Sequence, residues 1–331
     1  MTRIDIGLLG CGTVGRGFVQ LLDRERARVR NRYGIDLSIR SIAVRDLTKP
    51  RPGVDERLLT TSTLDTIQAG DLVVEAIGGV ELPRSLVRTA IALGRDVVTA
   101  NKALLADSGP ELFAKAASRG VAIGFEASVC GGIPIIRALQ RGLAGDSIES
   151  VTGILNGTCN FVLTRMEDGT PFDAALRLAQ ERGFAEADPS FDVDGIDAAQ
   201  KLSLLASIAF EGQRPSTVDI SGIRDVTTED IAEARSRGSV LRQVAVAEQS
   251  GGTVHLRVAL REIPDCHPLA RVRDEANGVL IRGRSVGEVF LSGRGAGALP
   301  TATALLSDVI EIALQRQRQL AAPALRLAKA V

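Results

Sequence analysis

Residues 4–17 read IDIGLLGCGTVGRG: a short apolar run from Ile4 to Leu9, then Gly10, Gly12 and Gly15 in a GxGxxG pattern, then helical spacing at Phe18, Val19, Leu21 and Leu22. The change of period predicts strand, turn and helix. In that context each glycine has a physical use. The first permits the tight turn, the second lets backbone approach a pyrophosphate, and the third lets helix and strand pack closely. The helix N-terminus favours phosphate charge. Gly10, Gly12, Thr13, Val14 and Gly15 are therefore the expected dinucleotide contacts.

Working outward, apolar runs recur at Leu37 to Val44, Leu72 to Ala76, Val97 to Thr99 and Val121 to Phe125, with helix-like segments at Glu81 to Leu93 and Pro110 to Ser118. Strands alternating with helices imply an α/β domain of Rossmann type, a parallel sheet covered on both faces. From about Ile133 the rhythm changes to a helix, a strand near Val151 to Leu155, several helices through Phe210, and strands at Val254 to Leu260, Gly278 to Ile281 and Val286 to Leu291. That predicts a second, mixed α/β domain. The expected boundaries are residues 1–132 and 133–300, with an amphipathic helix about 301–320, patterned at Ala304 to Leu314, returning to the first domain.

The 331 residues suit about two domains at ~150 residues each. Forty basic residues balance forty acidic ones, so no net field draws nucleic acid or anionic lipid. Aromatics make up only 3% of the chain and Trp is absent, which leaves few platforms for stacking bases. No apolar run reaches the ~20 residues of a membrane span. Cys11, Cys130, Cys159 and Cys266 form no CxxC, and no export signal precedes them, so the reading is reduced thiols in the cytoplasm. The partner is expected to be a small molecule.

The second predicted strand ends in AVRD, where a dinucleotide fold commonly places an acid for the ribose hydroxyls. Arg45 precedes Asp46 and can pair with a 2′-phosphate, which favours NADP over NAD; a surface pair between the two neighbours is the alternative. Two later strand ends, EAIGG at 75–79 and VTANK at 98–102, are placed for ligand contact through Gly78 and Lys102. Taken alone, Lys102 reads as a solvated loop lysine.

FAEADPSFDVDGIDAAQK, residues 184–201, holds five carboxylates and one lysine. Phe184 to Val193 reads as a loop, with Asp192 or Asp194 available to cap the next helix. Asp194, Asp197 and Lys201 then share a helix face. That face runs on into Leu204, Leu205 and Ile208, so Lys201 is not simply solvated, and a desolvated ammonium needs carboxylate partners to stay charged. Glu186 or Asp192 can instead hold the ammonium of a small amphoteric ligand. GILNGTCN, residues 153–160, reads as strand, turn and helix cap. EASVCGGIP, residues 126–134, reads first as a flexible joint, and Glu126 with nearby carbonyls suits a hard cation. The two histidines read as structural, and no HExxH, Walker or GxSxG pattern occurs.

Together GLLGCGTVGRG, VVTANKALLA, FEASVCGGIPII, GILNGTCNFVL, GFAEADPSFDVDGIDAAQKL and GRGAGALPTATALLSDV resemble the homoserine dehydrogenases from residue 4 to about 313. The resemblance implies NAD(P)-dependent interconversion of L-aspartate 4-semialdehyde and L-homoserine, a homodimer, and a second domain that binds substrate and dimerises. It implies Lys201 as proton donor, Asp197 as its carboxylate neighbour, and Lys102 at the nicotinamide and substrate. Glu186 would bind the amino acid, with Asp192, Gly157 and Thr158 as the further candidate substrate contacts of this sequence. Gly297 would reach back to the cofactor. Glu126, Val129, Gly131 and Ile133 fall where the family can hold sodium. Phe184 stands where relatives often have Tyr, which removes a hydroxyl. No ACT regulatory domain follows in this sequence, so feedback inhibition by threonine through one is not expected. Another amino-acid dehydrogenase and a non-catalytic dinucleotide sensor are the competing classes.

Overall fold

A computed structural model describes residues 1–210 and 217–328, with side chains to residue 319. The chain divides into two compact units, one made of residues 1–131 together with the segment from Gly297 onward, the other of Gly132–Ala296.

In the first unit β1 (Thr2–Leu9) leads through the glycine turn into α1 (Thr13–Tyr33), followed by β2 (Ile35–Ala43), β3 (Leu59–Thr60), α2 (Thr63–Ala69), β4 (Leu72–Glu75), α3 (Glu81–Ala92), β5 (Asp96–Thr99), α4 (Lys102–Arg119) and β6 (Ile123–Gly124). The six strands form one sheet in the order β3-β2-β1-β4-β5-β6, and every pairing is parallel. Strands buried on both faces lose polar alternation; β4, LVVE, is buried at all four positions. One face carries Phe18, Leu21 and Leu22 of α1 packed with Leu305, Leu306 and Val309 of the C-terminal helix Ala298–Ala328. The other carries Leu86, Val87 and Ile91 of α3 with Leu104 and Leu112 of α4. Each fully buried side chain of this size contributes about 1.5–3 kcal/mol. Gly17 permits the helix pairing: a Cβ there would lie 2.8 Å from the Ala298 carbonyl oxygen.

Three features of this unit differ from the sequence expectation. Helix α4 starts at Lys102 rather than Pro110, because Asn101 caps it by accepting the Leu104 N–H at 3.0 Å. Proline, which favours the first turn, lies inside the helix. The short β3 and α2 lack a strong period and are additional elements.

The second unit contains α5 (Ile135–Arg137), β7 (Ile148–Ile154), α6 (Gly157–Glu167), α7 (Phe172–Glu181), α8 (Ser190–Val193), α9 (Ile196–Ala209), β8 (Asp219–Ile220), α10 (Thr228–Ser236), β9 (Ser239–Ser250), β10 (Thr253–Pro264), β11 (Ala276–Gly283) and β12 (Gly287–Arg294). Its sheet runs β12-β11-β7-β9-β10-β8, antiparallel except for the β8–β10 pair. The twelve-residue β9 is the main element beyond the expected strands. Both faces of its first half are covered, so it shows no alternation. It also holds Arg242, which is fully buried and satisfied by Glu167 and by the carbonyls of Leu241, Val272 and Ala270.

Two expectations about the acid-rich stretch are corrected. The loop from Phe184 to Val193 includes the helical turn α8. Neither Asp192 nor Asp194 caps α9: its N-cap is Gly195 in the left-handed region, at φ 84°, with no side-chain cap. Asp194 instead pairs with Arg224. The four cysteines form no disulfide, and His267 caps the turn at Pro268–Arg271 by accepting the Leu269 N–H. No helix among the described residues is long and apolar enough to cross a membrane.

Candidate active site

In the first unit the glycine turn is shaped by contacts that a side chain would break. Gly10 has φ 93°, and a Cβ there would lie 2.7 Å from the Ala76 carbonyl oxygen. A Cβ on Gly15 would lie 2.2 Å from the carbonyl oxygen of Gly10, so α1 can approach β1 only with glycine there. At Gly12 nothing lies within 4 Å of the Cβ position, which leaves backbone open to a ligand. Thr13 and Val14 begin α1, whose N-terminus has neither a side-chain cap nor an acid in its first turn. The donor-rich helix end is thus left available for phosphate oxygens, and the residues present fit a dinucleotide pyrophosphate.

Arg45 is exposed two residues beyond β2 and forms no ion pair among the described residues. The neighbouring pair considered from sequence is absent: Asp46 accepts from the Thr48 backbone N–H at 2.8 Å and from its hydroxyl at 2.7 Å. Gly78 and Gly79 likewise have open space at the Cβ position. Gly297 has φ 112°, immediately before the C-terminal helix, where its carbonyl accepts the Thr301 N–H at 3.1 Å.

Glu75, at the end of β4, carries no sequence signal beyond its place in EAIGG. Its side chain is fully buried. One oxygen accepts the Ile77 N–H at 2.7 Å and the other accepts the Thr99 hydroxyl. The Thr99 oxygen accepts the Asn101 N–H at 3.0 Å, and the Asn101 amide donates to the carbonyls of Ile77 at 3.1 Å and Gly79 at 2.8 Å. The EAIGG and VTANK turns are therefore laced together. Lys102, the first residue of α4, is half-buried at the edge of this lacing. Burial pushes the Glu75 carboxyl up to about 7 despite the lowering effect of its hydrogen bonds.

Glu126 and Val129 are buried, and the Glu126 N–H donates to Asp308 at 2.8 Å. Cys130 and Gly131 follow in left-handed conformation, at φ 53° and 34°. Ile133, the second residue of the second unit, is buried. Among the described residues, no group of three His, Cys, Asp or Glu could hold a metal ion.

In the second unit one cluster gathers residues from three elements. Asp197 and Lys201, one turn apart on α9, form an ion pair at 2.8 Å, with side-chain exposures of 7% and 13%. The Lys201 ammonium also donates to the Leu155 carbonyl at 2.8 Å, where β7 has ended. Asn156 donates from its single amide nitrogen to Asp192 at 2.7 Å and to Asp197 at 2.8 Å. The Asn156 oxygen accepts the Cys159 N–H at 2.8 Å and so caps α6. Burial raises the Asp192 carboxyl; the Asn156 bond opposes this, the Asp197 charge adds to it, and the Lys201 charge and Thr158 hydroxyl oppose it. The Cys159 thiol is pushed far up by burial and is unsuited to act as a nucleophile.

The remaining candidates divide. Thr158 is buried beside this cluster and donates to the Phe184 carbonyl at 2.7 Å. A Cβ on Gly157 would lie 2.7 Å from the Glu275 carbonyl oxygen, which accounts for that glycine by packing. Glu186 is exposed, and its backbone carbonyl is held by Gln180 at 3.1 Å. The Phe184 ring sits edge-on to Phe161, with centroids 5.1 Å apart.

Two family models match the chain, one over each stretch of it. Residues 10–126 match the family model described as homoserine dehydrogenase, NAD binding domain, and residues 134–310 match homoserine dehydrogenase. The homoserine dehydrogenase of a Synechocystis strain is 45% identical over 318 residues, covering 93% of this chain and 73% of that protein. The crystal structure of a homoserine dehydrogenase from Thiobacillus denitrificans superposes with a TM-score of 0.90 at 42% identity, covering 96% of this chain and 75% of that one. A hyperthermophilic archaeal homoserine dehydrogenase solved in complex with NADPH superposes at 0.81 with 26% identity, covering 95% and 98%.

Proposed function

The chain belongs to the homoserine dehydrogenase family, NAD(P)-dependent oxidoreductases that interconvert L-homoserine and L-aspartate 4-semialdehyde, and we propose that Lys201 is the proton donor of its reaction. When bound, the nicotinamide cofactor would supply the hydride that reduces the aldehyde carbon. The oxygen that gains negative charge must then take a proton, and an ammonium within hydrogen-bond reach both stabilises that charge and delivers the proton. The observation that carries this reading is the anchoring of Lys201 by Asp197 and the Leu155 carbonyl, each at 2.8 Å. Two fixed acceptors orient the ammonium and keep it charged in a largely buried place.

Asp192, within the same amide bridge, is the carboxylate for the substrate ammonium, with Thr158 supporting it; Glu186 contributes from the rim and Gly157 through its backbone. Lys102 would polarise the carbonyl beside a bound nicotinamide. Gly10, Gly12, Thr13, Val14 and Gly15 bind the pyrophosphate, with Gly78 and Gly297 close to the rest of the cofactor. Arg45 takes the 2′-phosphate, so NADP is preferred over NAD. Its exposure and its neighbour's commitment to Thr48 support this. A sodium ion at Glu126, Val129 and Gly131 rests on the buried carboxylate beside a left-handed backbone pair, with Ile133 as the family's fourth contributor. The active form is a homodimer.

Absorbance at 340 nm with homoserine and either NAD or NADP tests the reading. Turnover that vanishes in Lys201→Ala while cofactor binding persists supports the proton-donor role. A Lys201→Ala variant that turns over like the wild type contradicts it.

A further inference from the structure

We propose that Asn156 is a positioning residue for the known reaction: its one amide nitrogen fixes Asp192 as the acceptor for the ammonium of the substrate and Asp197 as the anchor of Lys201. This rests on the assignments of Asp192 and Lys201 made above.

The orientation of the amide is set by the backbone. The Cys159 N–H can donate only to an acceptor, so the Asn156 oxygen faces α6. The nitrogen, with two protons, then faces the two carboxylates at 2.7 and 2.8 Å. One neutral group serves two acids that repel each other. The groups facing Asp192 are Asn156, Thr158 and Cys159 from α6 and its cap, and Asp197 and Lys201 from α9. Just past α8, Asp194 is occupied by Arg224. Two carboxylates and one ammonium leave a single net negative charge, which a substrate ammonium neutralises. Were the amide protons lost, burial and the Asp197 charge would act on Asp192 with less opposition, and it would hold a proton to higher pH. A protonated Asp192 offers no charge to an ammonium.

The cap and the bridge are separable by substitution. Asn156→Asp keeps the shape and the acceptor for Cys159, because aspartate is as good an N-cap as asparagine. It replaces the shared donor with a third acid. Asn156→Ser keeps a cap but is too short to span both carboxylates. Homoserine oxidation is measured from pH 6 to pH 10 for both variants and the wild type, together with direct binding of NADPH.

For Asn156→Asp the acidic limb of kcat/KM moves up by on the order of one pH unit, because a like charge raises the carboxylate. On the acidic limb, below the carboxylate's pKa, KM for homoserine rises about tenfold, since there each pH unit is a factor of ten in the ionised fraction; well above the limb the variant and the wild type converge. NADPH affinity is unchanged in both variants. For Asn156→Ser the KM rises with a smaller move of the limb. If either variant folds, binds NADPH and retains the wild-type KM and pH profile, Asn156 is only a helix cap and the proposal fails. A wild-type protein that binds NADPH but does not oxidise homoserine would instead overturn the underlying assignment of the reaction.

Discussion

Replacing Glu75 by glutamine tests the energetic consequence of the lacing at the ends of β4 and β5. The carboxyl is fully buried, has no cationic partner, and is pushed from an ordinary 4.5 to about 7. At ~1.4 kcal/mol per pH unit that interval amounts to about 3 kcal/mol. Below pH 4.5 the acid is protonated whether the chain is folded or not, and it adds no pH dependence. Between 4.5 and 7 the unfolded chain releases the proton and the folded chain keeps it, so stability falls as pH rises. Above 7 both forms are ionised and the full cost of the buried charge is present. Glutamine carries no such proton. The unfolding free energy of Glu75→Gln, relative to wild type, therefore rises by about 3 kcal/mol between pH 4.5 and 8. Every other titrating group cancels in the difference. Urea unfolding followed by far-UV circular dichroism suits a chain without tryptophan. Wild-type and variant stabilities that run parallel over that range, or a wild type that gains on the variant as pH rises, would refute the reasoning.

Three further outcomes are expected. In Lys201→Ala, kcat falls by roughly 10²–10⁴, the usual contribution of a positioned proton donor, at unchanged NADPH affinity; rapid turnover by the variant contradicts the assignment. Arg45→Ala weakens NADPH binding by about tenfold or more and leaves NADH binding alone, as a charged hydrogen bond contributes about 1.5–3 kcal/mol; equal loss for both cofactors would place Arg45 away from the 2′-phosphate. Gly15→Ala puts a methyl 2.2 Å from the Gly10 carbonyl oxygen, so the first unit loses about 1–3 kcal/mol and calorimetry shows a lower Tm; an unchanged Tm would mean that α1 shifts without cost.

The first sheet was legible because its demands on the chain are local. Gly10 and Gly15 answer a positive φ and a close backbone approach, and both follow from neighbouring elements in sequence. The second sheet was less so. Strand β9 is covered on both faces and contains a buried arginine, so its pattern resembles neither an alternating strand nor an amphipathic helix. What makes Arg242 tolerable there is Glu167, 75 residues earlier, together with carbonyls 28 and 30 residues later. None of these is visible in the strand itself. Pro110 misled in the opposite direction: its preference for a first turn is real, but the Asn101 cap nine residues before the expected start decided where α4 begins.

The same distinction separates the acids of residues 184–201. Spacing placed Asp197 and Lys201 on one helix face, and they pair at 2.8 Å. Spacing also put Asp194 on that face, yet its outcome was decided by Arg224, 30 residues away, and it became an exposed ion pair of the kind that contributes little. Asp188 turns to its own chain, accepting the Ser190 N–H at 3.0 Å. Asp192 is drawn inward by Asn156, 36 residues earlier, at the mouth of a different helix. Five carboxylates in one stretch thus have no common purpose. Two satisfy the surface and the local turn, two share one amide beside a lysine, and Glu186 is left exposed. A cluster of acids in sequence is not by itself a site; it becomes one where a distant donor removes the repulsion between two of them.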